Sequence, residues 1–518
     1  MLQRSIASCL LFFCLSLVEP GFAATQPLEG LVGKWLNHPA LQHSNVGVEI
    51  MELPSGKILY AYNGHKRFLP ASTAKVFTTA CAYETLGADY TYKTQLIGDP
   101  YITEGRLHGD LVLCPSQDPT LTHDDLRQLL RQLADKNVKV VEGHLRLAPV
   151  AGGHNQYFPG WLVEDFGQPW MPVCSNLVVD HNVAQGVTAL KNVKVSKVDP
   201  ATEPNALFTS LMSSDVASAW LVYDPDYHSE RIYCGEGTTE KSPLVVADPD
   251  EYNMALFESA VADQGIHVEK GLGKHKAPDK ASIGVQPLAE HLSKPLSKII
   301  TITLHESDNL YAQQILRTLG LLQADPNIKL KSTDERTTIE DRALYRLNTW
   351  LASIKVPPHE VVLLDGCGLT RKNGVSPHAL NTVLAHMAGP TLTGGYLNLL
   401  KAGDHYRFKT GSMDTARSIT GVVQTKGGQN LALTIMVNNH TPSVKALSME
   451  IGELVSLVGN ITQISTKIVP FPEVHTAATT EAQAPVQVEV AAPVRAAAHT
   501  SSRRKHRTRT STSTSKHK

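Results

Sequence analysis

The sequence predicts an α/β protein: a mainly antiparallel sheet flanked by helices and interrupted by a large mixed insert. Three observations carry this. First, strand-like runs alternate about a turn near each end of the chain. Val46 to Leu53 and Lys57 to Tyr62 flank Pro54-Ser55-Gly56, and Ile419 to Thr425 and Asn430 to Asn438 flank Lys426-Gly427-Gly428-Gln429. Second, two helical runs accompany them. One opens at Ser72 and ends near Gly87, with Val76, Phe77, Ala80 and Cys81 on one face. The other, Ser443 to Val458, lines up Leu447, Ile451, Leu454 and Val455. Third, more than two hundred residues separate Lys75 from Ser307, far too many for a loop in a compact domain, so that stretch folds on its own.

From the N-terminus, Arg4 precedes an apolar run from Leu10 to Val18. Pro20 breaks the run and Gly21-Phe22-Ala23 offers small residues for cleavage. Residues 1–23 therefore read as a secretory signal peptide, and the mature chain as extracytoplasmic, soluble or peripherally membrane-associated. Ile6-Ala7-Ser8-Cys9 precedes the apolar run instead of ending it, which argues against lipidation. Within the insert, Leu107 to Leu113 and Val138 to Leu147 are strand-like and Asp124 to Lys136 helix-like. The chain divides into 24–92 and 293–468 as one discontinuous domain, 93–292 as the insert, and 469–518 as an Ala/Pro/Thr-rich disordered tail.

Three short motifs follow one another: Ser72-Thr73-Ala74-Lys75, Ser307-Asp308-Asn309 and Lys409-Thr410-Gly411. Each alone is weak, since the first pattern recurs at Ser502/Lys505 and Ser513/Lys516 in the tail. Their order and context are informative. A serine at a helix start meets free N–H groups and the positive end of the dipole. Lys75, three residues on, lies on the same helix face, within reach of the hydroxyl. A lysine of ordinary pKa, about 10.4, is a proton donor at neutral pH. To act as a base it must be desolvated or set beside a second cation, for which Lys409 is the candidate. The set describes an acyl-transfer enzyme with a serine nucleophile and a lysine base.

These motifs make the chain resemble the class C low-molecular-mass penicillin-binding proteins, of the penicillin-binding-protein-four type. Gln117-Asp118-Pro119-Thr120-Leu121 resembles the family's G-D-P-x-L loop, and Asp365-Gly366-Cys367-Gly368-Leu369-Thr370-Arg371 its D-G-S-G-L-S-R motif, with Cys367 in the serine's place. The resemblance implies a transpeptidase/β-lactamase-like catalytic domain carrying one or two nested small domains. It also implies D-alanyl-D-alanine carboxypeptidase activity, with endopeptidase action as a second possibility, on peptidoglycan stem peptides, with β-lactams as acylating inhibitors. Ser72 would be the nucleophile and Lys75 its base, with backbone N–H groups of Ser72 and Ser412 holding the oxyanion. Ser307 would relay a proton, Asn309 bond the substrate backbone, and Lys409, Thr410 and Gly411 receive the terminal carboxylate. Asp165, after Gly160-Trp161, would correspond to an insert acid that grips a stem-peptide amine; the residues alone allow a solvated loop carboxylate equally. The segment 389–408, ahead of Lys409, is shorter than in the relatives.

No cofactor or metal is expected, and the cysteine spacings match no zinc pattern. Five cysteines follow the leader, and Cys174 with Cys234 is the candidate disulfide. Lys and Arg total 48 against 49 acids, so the basic end, Arg503 to Arg509 and Lys516 to Lys518, leaves the remainder net acidic. In an exported chain that end suits an anionic envelope surface, or serves only as a solubilising extension; a nucleic-acid role does not fit. A non-catalytic wall-binding protein and a β-lactamase are the alternative readings.

Overall fold

The hairpins from opposite ends of the chain meet in one sheet. The computed structural model describes residues 28–98, 102–150, 156–171, 173–185, 194–197, 219–224, 229–234, 243–275, 286–322, 338–389, 395–441 and 443–464. The signal peptide and the basic tail lie outside these residues. In chain order, helix α1 (Leu28–Leu36) precedes β1 (Asn45–Glu52) and β2 (Ile58–Tyr62). A 3-10 turn (Ala71–Ala74) then runs into α2 (Lys75–Leu86). The next segment holds β3 (Lys93–Ile97), β4 (Leu111–Cys114), α3 (His123–Asp135), β5 (Leu145–Leu147), α4 (Pro249–Asp263) and β6 (Ala289–Leu292). The remainder is α5 (Leu296–His305), α6 (Asn309–Leu321), α7 (Ile339–Ser353), α8 (Pro377–Ala388), β7 (Tyr406–Met413), β8 (Ala416–Gln424), β9 (Asn430–Asn438) and α9 (Val444–Gly459).

The main sheet runs Lys401–Ala402, β7, β8, β9, β1, β2, antiparallel throughout. Register from Asn45↔Asn438 to Glu52↔Leu431 zips the two hairpins together. Strand β9 is central and buried on both faces, which explains its continuous apolar run. On one face α1 and α9 pack Trp35, Leu447, Leu454 and Val455 against Val48 and Ile435, and Trp35 Nε1 donates to the Glu450 carbonyl at 2.8 Å. On the other face lie α2 and α8. The sequence places only one face of α2 inside. The whole first two turns are buried, from Lys75 to Ala82, because sheet and helices enclose it from all sides. Gly87, at φ +88°, ends the helix where a left-handed residue is needed.

The chain leaves this core through β3 and returns along β6, which pair from Ala289↔Leu96 to Leu292↔Lys93. Two expected strands are each split here. Leu107 belongs to one sheet and β4, from Leu111, to another, while Val140–Val141 and β5 divide in the same way. Gly109 (φ +85°) and Gly143 cause the break: a Cβ on Gly143 would lie 2.3 Å from the Gly109 carbonyl oxygen, so the two backbones cross in contact. Helix α3 opens with a Thr122/Asp125 capping box one residue before its expected start. The candidate disulfide is not formed: Cys174 is a free thiol, buried against Phe158, Val178 and Leu310.

Phe77, 0% exposed, supports the helix that follows Ser72. Phe77→Ala is expected to cost about 3–5 kcal/mol. In urea titrations the midpoint should fall with an unchanged slope.

Candidate active site

The three motifs converge on a cleft of about 490 Å³ lined in part by Ser72, Asp165, Trp170, Ser307, Asn309 and Ser412. At its floor lies Lys75, 0% exposed, with the amine held at three points. Nζ is 2.9 Å from Ser72 Oγ, 2.6 Å from Asn309 Oδ1 and 2.8 Å from the Cys367 carbonyl. Asn309 Oδ1 and the Cys367 carbonyl are pure acceptors, and they use both N–H bonds of a neutral amine. The remaining lone pair then faces Ser72, whose hydroxyl donates into it. Burial pushes Lys75 down from the usual lysine range, against the opposing pull of Cys367, Asp365 and Asp308.

Lys409, the second cation, lies nearby, and the two ammonium charges disfavour each other. The Lys409 pKa falls to about 7, through burial first and then the neighbouring charges of Lys75, Lys401 and Arg417. Its Nζ donates to Ser307 Oγ at 2.9 Å and to the Thr410 carbonyl at 2.9 Å. The two lysines thus hold one serine each.

Local backbone places each group. Ala71 stands at φ +49°, immediately before Ser72, and Ser307 at φ +60° between α5 and α6. Left-handed conformations cost L-residues roughly 1–2 kcal/mol each. The fold holds them there because Ser307 must face Lys409 while Asn309, two residues on, faces Lys75. Asp308 caps α6 through the Tyr311 N–H at 2.9 Å, and its second oxygen lies 3.0 Å from His181 Nε2. Strand β7 runs beside the nucleophile turn; a Cβ on Gly411 would lie 2.6 Å from the Pro70 carbonyl oxygen and 2.9 Å from the Ser72 nitrogen. Among the described residues only Lys401–Ala402 pairs with its outer side, at Arg407 and Phe408, so from Lys409 onward β7 has no described strand on its edge towards the cleft.

The Asp365 to Arg371 loop passes beneath. Buried Asp365 accepts from Trp161 Nε1 (2.9 Å), Gly368 N, Thr370 N and Asn373 Nδ2 (each 2.8 Å). That network fixes the Cys367 carbonyl on Lys75. The contact is made by backbone, which is why cysteine serves where the related motif has serine. Gly368, at φ +87°, lies so close below Ala71 that a Cβ would be 1.9 Å from its carbonyl oxygen.

Asp165 stands at the cleft wall, with Oδ1 accepting from Trp170 Nε1 at 3.1 Å and Oδ2 buried without a partner among the described residues. Sequence reasoning missed Trp170, whose carbonyl accepts from Asn309 Nδ2 at 2.6 Å and so orients the amide. It also missed Gln117, at φ +69° where the related loop has glycine. Its side-chain oxygen accepts from buried Arg317 of α6 at 2.9 Å, tying that loop to the helix that carries Asn309. No motif marks Trp170; Gln117 stood out only as the mismatch in its loop.

Cys367→Ser should leave the rate of serine acylation within about threefold of wild type, whereas Gly368→Ala should abolish it; mass spectrometry of β-lactam adducts reads both. Lys409 gives a signed pH dependence. Between its folded value of about 7 and its ordinary 10.5 it binds fewer protons folded than unfolded. Stability should therefore rise with pH through that window relative to Lys409→Met, as chemical denaturation would show.

The comparisons agree with this geometry. The chain is 28% identical over 362 residues to the D-alanyl-D-alanine carboxypeptidase DacB of Haemophilus influenzae, covering 67% of this chain and 71% of that protein. It is 26% identical over 442 residues to a D-alanyl-D-alanine carboxypeptidase of Actinomadura sp., covering 78% and 80%. The crystal structure of penicillin binding protein 4 from Haemophilus influenzae shares the fold, with a TM-score of 0.65 at 20% identity over 81% of this chain and 97% of that one. The D-Ala-D-Ala carboxypeptidase 3 (S13) family model matches residues 28–456, and the chain belongs to that family.

Proposed function

We propose that this protein is a serine D-alanyl-D-alanine carboxypeptidase that trims peptidoglycan stem peptides through an acyl-enzyme on Ser72. Endopeptidase cleavage of cross-linked stems would use the same acylation step. The observation that carries this reading is Ser72 Oγ at 2.9 Å from an amine fully withdrawn from solvent. Membership of the carboxypeptidase family supports it.

Ser72 Oγ attacks the carbonyl carbon between the two terminal D-alanines and passes its proton to Lys75 Nζ. Backbone N–H groups of Ser72 and Ser412 stabilise the oxyanion. Collapse breaks the C–N bond, and the departing amine takes, through Ser307, which Lys409 holds, the proton that Lys75 had received, so that Lys75 is neutral again. Lys409 and Thr410, beside Gly411, receive the terminal carboxylate. A substrate carbonyl reaching Asn309 Nδ2 replaces the Trp170 carbonyl there. Water then attacks the ester, with Lys75 again the base, and frees Ser72. β-Lactams acylate the same serine and leave slowly. Asp165, with one buried oxygen unpartnered among the described residues, receives an amine of the stem peptide. The sequence supports an extracytoplasmic location and a basic tail that meets an anionic envelope surface. Among the described residues no helix is long and apolar enough to cross a membrane.

Fluorescent penicillin should label the wild type and not Ser72→Ala, and wild type alone should release D-alanine from a stem pentapeptide. Absence of labelling in folded wild type would favour the non-catalytic binder, and rapid penicillin turnover a β-lactamase. Asp165→Asn should raise KM for stems bearing a free side-chain amine about tenfold, the scale of one lost charge-assisted bond. Its penicillin acylation should be unchanged.

A further inference from the structure

Outside the cleft, four ionisable side chains from four segments meet behind the stretch that leads into the nucleophile turn. Glu49 of β1 and Glu360 are buried, at 0% and 1% exposure. His378, in the first turn of α8, has Nδ1 3.1 Å from Glu49 Oε2, and His65 Nδ1 lies 2.8 Å from Glu360 Oε1. The imidazole centroids are 4.5 Å apart. One donor atom from each of Glu49, His65 and His378 lies within 4.8 Å of the other two.

Charge makes this cluster unusual. A carboxylate withdrawn from water costs several kcal/mol unless it is compensated. Among the described residues neither glutamate pairs with lysine or arginine; each has a histidine as its ion-pair partner. The other contacts are neutral: Asn381 Nδ2 donates to Glu49 Oε1 at 3.2 Å, and the Ser376 hydroxyl donates to Glu360. Two formal negative charges therefore face two imidazoles, and one dication would balance them.

The donor set also points to a metal. Two imidazole nitrogens and a carboxylate oxygen are a set that zinc accepts, at about 2.0–2.2 Å from each ligand. A carboxylate on the ring nitrogen of His65 is the outer-shell bond that orients metal-binding histidines. Gly64 leaves the necessary room, since a Cβ there would lie 3.0 Å from Glu49 Oε2. Access is open, because the His65 side chain is 60% exposed while the carboxylates are buried.

We infer that Glu49, His65 and His378 bind a divalent cation of the zinc class, with Glu360 orienting His65. The site is structural and lies apart from the cleft. It joins β1, the segment after β2 and the start of α8, where His378 N already donates to the Gly64 carbonyl at 2.9 Å. Phe68 and Val375 exchange backbone hydrogen bonds at 2.8 and 2.9 Å just beyond, so a cation there clasps the approach to Ser72. No spacing motif marks the three ligands, which are scattered along the chain.

The test uses the full chain, stripped with chelator and titrated with Zn²⁺ by calorimetry, with elemental analysis of the dialysed complex and thermal unfolding alongside. His65→Ala and His378→Ala are compared with wild type, with penicillin labelling confirming that each variant is folded. The inference requires wild type to hold one more zinc equivalent than either variant, and a zinc-dependent rise in Tm that the variants lack. Glu360→Gln should weaken binding about 10–100-fold. Cobalt in place of zinc should give the visible bands of a four-coordinate ion in wild type only. Equal zinc content and equal Tm shifts in wild type and both variants would overturn the site and leave two histidine–glutamate pairs.

Discussion

The arrangement depends on one constraint, the complete burial of Lys75. A lysine amine without water around it must find hydrogen-bond partners, and each partner comes from a different part of the chain. Ser72 lies one turn before it, Asn309 stands at the start of α6, and the Cys367 carbonyl belongs to the loop after Leu363. Satisfying one amine therefore aligns three segments. The same burial favours the neutral form of the amine.

The price of that geometry appears in the backbone. Ala71, just before Ser72, and Ser307, in the second motif, both adopt left-handed conformations. Ala71 is held by close contacts that leave no room for side chains at Gly368 and Gly411. Asp365, with five donors around it, keeps the loop under Ala71 in place. The segment 156–182 adds a lateral wall: Trp161 reaches Asp365, Thr370 donates to the Pro159 carbonyl at 2.6 Å, and the Trp170 carbonyl fixes Asn309. The inserted region thus takes part in shaping the cleft.

Much of this was legible in the sequence for a physical reason. The hairpins and α9 have alternating or helical periodicity, and Ser72, Lys75, Ser307, Asn309 and Lys409 sit in short motifs whose order survives the long insertion. Other features were not legible. The split of Leu107 to Leu113 depends on Gly109 meeting Gly143, a contact between residues far apart in sequence. Trp170 acts through a carbonyl, which every residue has. The depth at which Lys75 and Lys409 are buried was not legible either, because a motif shows charge proximity and not burial. A cysteine in place of serine looked like a departure at position 367, yet the backbone there does the work.

The most direct test is the pH dependence of the second-order rate at which a penicillin acylates Ser72 in the wild-type protein. If buried Lys75 is the base, the rate should rise as that amine loses its proton and reach its plateau well below the ordinary lysine value of 10.5. A rate that keeps climbing until the pH reaches that ordinary value would show Lys75 to be charged in the resting enzyme, and would contradict the account.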